Sequence, residues 1–177
     1  FSANSTFAGS IDNVSVKELL IEEVPRNLLT NSQEFDNSTW TKQTGTVVTA
    51  NQAVAPDGTM TADKVVSDGS NGIYESSLPV SGIVTRSVYL KSVTGTTTAI
   101  LRDPHSIDAG SVSLTITNEW QRFELTGDNG GNEQGIWIND ITSEGLYIWG
   151  AQVEIGSQAT TYISVSYTHL RAHETDS

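Results

Sequence analysis

The chain has 177 residues, 9 Lys plus Arg against 21 Asp plus Glu, a net charge of −12 and no cysteine, which allows one domain with a sizeable core and excludes a disulfide framework, a thiolate metal site and a cysteine nucleophile. Only 36% of residues are apolar and only 17% charged; disorder couples low hydrophobicity to high charge density, so the Thr-, Ser-, Asn- and Gly-rich remainder points to folded β structure. The acid excess argues against nucleic acid and against an anionic membrane surface, and no run of 18 apolar residues offers a helix for membrane insertion.

Ile11 to Val16 alternates as a strand does, and Lys17 to Val24 is the best helical stretch, stopped by Pro25. Thr46 to Ala50 is β-branched. Asp63 to Val66, Val84 to Lys91, Thr96 to Leu101, Ser111 to Ile116, Trp120 to Leu125, Gly135 to Asn139 and Leu146 to Glu154 follow as strands. Turn sequences separate them, among them Pro56-Asp57-Gly58, Asp68 to Gly72, Thr94-Gly95 and Asp128 to Asn132. Short strands at this spacing predict an all-β antiparallel fold, a sandwich or barrel. Strand parity then sorts the side chains. Val88 and Leu90 share one face, and Ser87, Tyr89 and Lys91 the other. Ile136 and Ile138 share a face, and Trp137 points with Asn139. The same rule groups Trp149 with Ala151 and Val153. Trp120, Trp149, Phe35 and Phe123 are expected in the core, with Trp40 as a core plug after the first turn.

Ile11 to Lys17 can be laid over Ile148 to Glu154, about one domain length apart. Residues 1–19 therefore read as the last strand of a preceding similar domain, 20–26 as a linker and 27–164 as one complete module. The stretch 165–177 breaks with everything before it. Val165 to Thr175 reads VSYTHLRAHET, which resembles residue for residue the conceptual translation of a transposase-end sequencing adapter. It is expected to be a non-native tail on a fragment from shotgun assembly, outside the fold. The competing reading of its His169 and His173 is an i, i+4 metal pair on a helix.

Five segments carry a family resemblance, one of them the N-terminal strand ending Asp12-Asn13-Val14-Ser15-Val16-Lys17-Glu18. Of the other four, the first is Asn27-Leu28-Leu29-Thr30-Asn31-Ser32-Gln33-Glu34-Phe35-Asp36-Asn37 followed by Trp40. The second is Ala55-Pro56-Asp57-Gly58-Thr59 with Thr61-Ala62-Asp63-Lys64, and the third is Trp120-Gln121-Arg122-Phe123. The fourth is Ile148-Trp149-Gly150-Ala151-Gln152-Val153-Glu154 with Gly156-Ser157, Thr160 and Tyr162-Ile163. Together they resemble jelly-roll modules of phage tail and other virion proteins, which are similar to the carbohydrate-binding jelly rolls attached to many glycoside hydrolases. The resemblance implies a β-sandwich of two antiparallel sheets. It implies a virion or extracellular setting, with cell-surface or extracellular polysaccharide and other virion or tail domains as partners. It also implies a glycan site on the concave face of one sheet and, in many relatives, a structural calcium held partly by an acid in the closing strand. Asp12 occupies that place in the partial copy. In the complete domain the place falls to Trp149, which cannot ligate calcium.

Sugar recognition uses flat aromatic rings for pyranose faces, with amides and charged groups for hydroxyls. Trp137, Tyr89, Asn139, Lys91 and Tyr74 could build such a face; rings covering the rim of a sandwich would read the same way. Asp128, Asn129, Asn132 and Glu133 form a loop rich in oxygen ligands that would suit calcium, although turn chemistry alone explains it. No other cofactor is expected. His105 lies near Asp103, Ser106 and Asp108, but a catalytic triad requires convergence in space, and no nucleophile elbow, phosphate loop or His-Glu-x-x-His occurs. The expectation is a non-enzymatic, glycan-binding module. Its rivals are a ligand-free spacer or oligomerisation domain, and an accessory module of a polysaccharide-degrading enzyme.

Overall fold

The computed structural model describes residues 26–106, 110–131 and 133–165. The strand expected at Ile11 to Val16, the helix expected at Lys17 to Val24, the partial repeat with Asp12, Asp108, Asn132 and the adapter-like tail beyond Val165 lie outside these residues.

Ten strands run through them: β1 (Thr41–Lys42), β2 (Val47–Ala53), β3 (Ala62–Val66), β4 (Ile73–Leu78), β5 (Val84–Ser92), β6 (Thr97–Arg102), β7 (Ser111–Ile116), β8 (Gln121–Gly127), β9 (Gln134–Asn139) and β10 (Leu146–Ile155). They form two five-stranded sheets. The first has the order β1-β4-β9-β6-β7 and the second β2-β3-β10-β5-β8. Every strand pairing is antiparallel. The fold is an all-β sandwich of jelly-roll type.

Alternation explains how the sheets meet, because a period of two gives each strand one apolar face to bury. The first sheet contributes Ile73, Leu101, Ile136, Ile138, Leu114 and Ile116 to the core. The second contributes Val65, Val88, Leu90, Leu146, Ile148 and Val153. Phe35 and Trp40 close one end with ring centroids 4.7 Å apart, so Trp40 is the plug that its position suggested. Its indole N–H donates to the Asn31 carbonyl at 2.8 Å. Asn27 ties the segment ahead of β1 to β10. Its amide donates to the Ala151 carbonyl at 2.9 Å, and its Oδ1 accepts the backbone N–H of Val153 at 3.2 Å.

Three expectations need correction. The parity grouping of Trp149 with Ala151 and Val153 fails because Gly150 sits at φ +62°, in a bulge where the β10–β5 register shifts. The bulge returns Ala151 and Val153 to the core while Trp149 turns to the outer surface of the second sheet. There it is buried in a separate cluster with Ala55 and Ala62, against Tyr89, Trp120 and Tyr162. Trp120 belongs to the border of that cluster rather than to the core, and its indole N–H donates to the Val54 carbonyl. Phe123 is half-buried against the main core. Two strands had no sequence signal. β1 is only two residues long, and β4 (IYESSL) buries only Ile73 and Leu78, with a register shift between Glu75 and Leu78 that breaks its alternation.

Candidate functional site

The outward face of the first sheet carries one continuous row. Pairing registers place Thr41, Tyr74, Trp137, Arg102 and Ser111 side by side across β1, β4, β9, β6 and β7. At about 4.8 Å between strands, the row is roughly 19 Å long. A second row, Asn139, Ile100 and Ser113, runs beside it. The local sequences dictate this face. Ile136 and Ile138 point inward, so Trp137 and Asn139 point out; Ala99 and Leu101 point inward, so Ile100 and Arg102 point out.

Trp137 does not lie open as a flat platform. The Arg102 guanidinium carbon sits 3.6 Å from its ring centroid, stacked on the indole. On the β4 side the Tyr74 ring packs against it at 5.6 Å, tilted by 53°. The surface offered to a ligand is thus a composite of phenol, indole and guanidinium. A cavity of about 330 Å³ opens beside it, lined by Gln43, Tyr74, Ser76, Pro104, His105 and Trp137. A second, of about 320 Å³, lies over β6 and β7 beyond Ile100, between Thr98, Ser113, Thr115 and Asp140. Each is at the lower end of the range for ligand clefts. Four buried polar side-chain atoms lack a hydrogen-bond partner among the described residues, and three belong to this face: Trp137 Nε1, Arg102 Nε and Asn139 Oδ1. Buried donors and acceptors are seldom left unpaired, because each costs its desolvation.

The wall behind the cavity is held by a buried charge network. The Asp103 carboxylate accepts from the Arg86 guanidinium, from Asn129 at 3.1 Å and from the backbone N–H groups of His105 at 2.8 Å and Gly135 at 3.1 Å. Arg86 also donates to the Gly135 carbonyl and to Gln134. Burial pushes the Asp103 carboxyl up, but the hydrogen bonds from Asn129 and His105, together with the charge of Arg86, outweigh burial and hold it below the usual carboxylate range. This network fixes the turn after β6, so that Pro104 and His105 form one side of the cavity. Gly135 allows the close approach: a Cβ there would lie 2.1 Å from the Glu75 carbonyl and 2.6 Å from Pro104.

The five residues expected to share a glycan face are divided between the two sheets. Tyr74, Trp137 and Asn139 come together on the first. Tyr89 and Lys91 are on β5, in the second sheet, where Tyr89 packs edge-on to Trp149 at 5.5 Å under Arg122. Parity places residues on a face of their own strand and is silent about which sheet that strand joins. Arg102, Gln43, Ser76 and His105 were missed as site residues. The outward parity of Arg102 beside Leu101 was the available signal for it. In the loop after β8, Asp128 Oδ1 and Asn129 Oδ1 accept the backbone N–H groups of Gly130 and Gly131, both at 2.8 Å. Turn formation therefore accounts for those two residues, while Glu133 extends outward, 3.9 Å from His105. No cluster of three or more His, Cys, Asp or Glu fit for a metal occurs among the described residues. His105 Nδ1 is 3.7 Å from Asp103, whose carboxylate is engaged by Arg86.

No family model matches the chain, and no curated protein matches it. Solved structures do. The CBM22-1–CBM22-2 tandem domain of Xyn10C from Paenibacillus barcinonensis superposes with a TM-score of 0.53 at 19% identity, over 76% of this chain and 46% of that one. The chain thus spans less than half the length of that tandem. The CBM22-1–GH10 modules of Xyn10B from Clostridium thermocellum, complexed with xylohexaose, give 0.54 at 19% identity, over 76% and 29% of the two chains. TmCBM61, in complex with β-1,4-galactotriose, gives 0.51 at 17%, over 72% and 97%. The chain shares with these structures a jelly-roll β-sandwich. At these identities the likeness establishes the jelly-roll architecture alone, and the chemistry rests on the side chains described above. No helix of the described residues is long and apolar enough to cross a membrane.

Proposed function

We propose that the chain is a non-catalytic polysaccharide-binding module whose site is the outward face of the first sheet around Tyr74, Trp137 and Asn139. The observation that carries this reading is the aromatic-walled cavity beside Trp137, whose Nε1 is buried and unpartnered, as is Asn139 Oδ1 further along β9. An indole N–H and an amide oxygen are the complement of sugar hydroxyls, which both donate and accept. Tyr74, Pro104 and His105 supply the apolar wall against which a pyranose packs. The neighbours' bound xylohexaose and galactotriose support the reading by analogy of fold. The site is shallow, so a single copy binds weakly.

We further infer, from the opening and closing motifs, that the module serves in a virion or extracellular protein carrying other domains. The neighbour joined to a GH10 module favours, as a second reading, an accessory module of a polysaccharide-degrading enzyme.

The test is binding of the full chain, displayed multivalently, to an array of bacterial, algal and plant polysaccharides. Trp137→Ala and Tyr74→Ala should each weaken binding at least about tenfold, as truncation of a central aromatic does, without loss of fold. Tyr89→Ala, on the other sheet, should lower stability and leave binding intact. Silence of the folded wild-type protein across the array would move the assignment to a structural spacer.

A further inference from the structure

Arg102 is the residue of this face that a neutral-sugar site does not explain. Its guanidinium lies on the Trp137 indole, and no ion pair reaches it among the described residues. Its Nε is buried without a hydrogen-bond partner, as is the adjacent Trp137 Nε1. Stacking covers one face of the guanidinium and leaves its two terminal Nη groups, which make no hydrogen bond among the described residues, as the available fork. The acids bordering the face are engaged elsewhere. Asp140 Oδ1 accepts from the Asn139 amide at 2.6 Å, and Glu133 stands 3.9 Å from His105. In a chain of net charge −12, an uncompensated cation held rigidly on a ligand-facing ring is a specific arrangement.

Resting on the glycan-binding reading above, we propose that the site selects polysaccharides carrying carboxylates, with the uronate oxygens accepting the Arg102 fork and the hydroxyls of neighbouring residues meeting Asn139 and the Tyr74 cavity. A planar carboxylate matches a planar fork bidentately, which a hydroxyl cannot do. The overall charge narrows the class further. A dense polyuronate brings many carboxylates within about 8 Å of an acidic protein surface, where physiological salt screens them only in part. The preferred ligand is therefore a largely neutral chain bearing spaced uronate residues.

The experiment prints each polysaccharide of the array twice, native and after carbodiimide-borohydride reduction of its uronic acids to neutral sugars. Wild-type chain, Arg102→Gln and Arg102→Lys are applied at low and physiological salt, each variant first checked for folding by its thermal transition. Sparsely uronylated chains should bind, and binding should fall roughly ten- to a hundredfold on their reduced partners, the worth of a charge-assisted hydrogen bond. In Arg102→Gln the native-to-reduced ratio should collapse towards one, with Arg102→Lys, which keeps charge without the fork, between the two. Because Arg102→Gln uncovers Trp137 and could disturb the fold, a second measurement uses wild-type protein alone. Millimolar methyl glucuronide should shift the Trp137 indole N–H resonance, and methyl glucoside should shift it less. Equal binding to native and reduced chains, or equal resonance shifts, overturns carboxylate selection while leaving glycan binding standing. Silence on both printings defeats both readings, and stronger binding to dense polyuronates than to sparse ones overturns the class proposed.

Discussion

Asp103 shows how one buried carboxylate can hold both the fold and a site wall. It is engaged by Arg86, Asn129 and the backbone N–H groups of His105, Ser106 and Gly135, and both partners of the ion pair are buried. Burial alone would raise its pKa, yet these contacts hold it lower than the ordinary value of 3.8. A depressed native pKa contributes stability that is fully present above the unfolded pKa and is lost as pH falls through the native one. Asp63 runs the other way. Burial raises its pKa despite the backbone N–H groups of Asn51 and Phe35 that it accepts, so its protonation favours the native state as pH falls. Asp103→Asn should cost about 3–5 kcal/mol, because Arg86 is left buried without its counter-charge. It should also flatten the loss of unfolding free energy on the acid side of 3.8, read by urea titration at a series of pH values. If Asp103→Asn is too unstable to measure, the paired replacement Arg86→Met with Asp103→Asn should recover part of the loss, since it removes the uncompensated buried charge and keeps an acceptor for Asn129 and the backbone N–H groups.

At the scale of the element, β10 is the clearest case of a strand whose faces its own alternation misreports. Gly150 adopts φ +62°, and a Cβ there would meet the Tyr89 and Tyr162 rings at 3.3 and 3.4 Å. The bulge rotates the strand so that Ile148 and Val153 both reach the core while Trp149 covers the outside of the second sheet. Gly150→Ala should destabilise by about 1–2 kcal/mol, the cost of left-handed backbone for a residue with a Cβ. Chemical denaturation would show this as a lower midpoint with an unchanged slope. An unchanged midpoint would mean that the strand had lost its bulge and the Trp149 cluster with it, which quenching of tryptophan fluorescence would reveal. β4 teaches the converse. Its sequence carries little strand signal, yet it is paired by β1 on one side and β9 on the other, and that pairing is what brings Tyr74 to Trp137.

At the scale of the molecule, the proposed ligand surface is a row of side chains on a shallow sheet face, and its usefulness depends on number. Linking copies converts later binding events into intramolecular ones and raises avidity by about 10²–10⁴. A biotinylated chain assembled on a tetrameric carrier should therefore retain polysaccharide that the monomer releases on washing. Equal retention by the two forms would argue for a deeper single site than the two cavities of about 330 and 320 Å³ offer.

The all-β class, most strand positions and the inward residues of β5 and β9 were legible in the sequence. Each is a consequence of period-two burial and turn chemistry, which are local properties of the chain. So was the outward direction of Tyr89, Lys91, Trp137 and Asn139. Local periodicity carries no information on which strands become neighbours, and the strand order β1-β4-β9-β6-β7 is what separated Tyr89 and Lys91 from Trp137 and joined Tyr74 and Arg102 to it. Nor could it foresee the bulge at Gly150, because a positive φ in mid-strand is stabilised by packing against distant rings. The sequence by itself determined a β-sandwich with aromatic and polar residues turned outward. Only the tertiary structure decided which of them meet, because contacts across a sheet join residues that the chain keeps far apart.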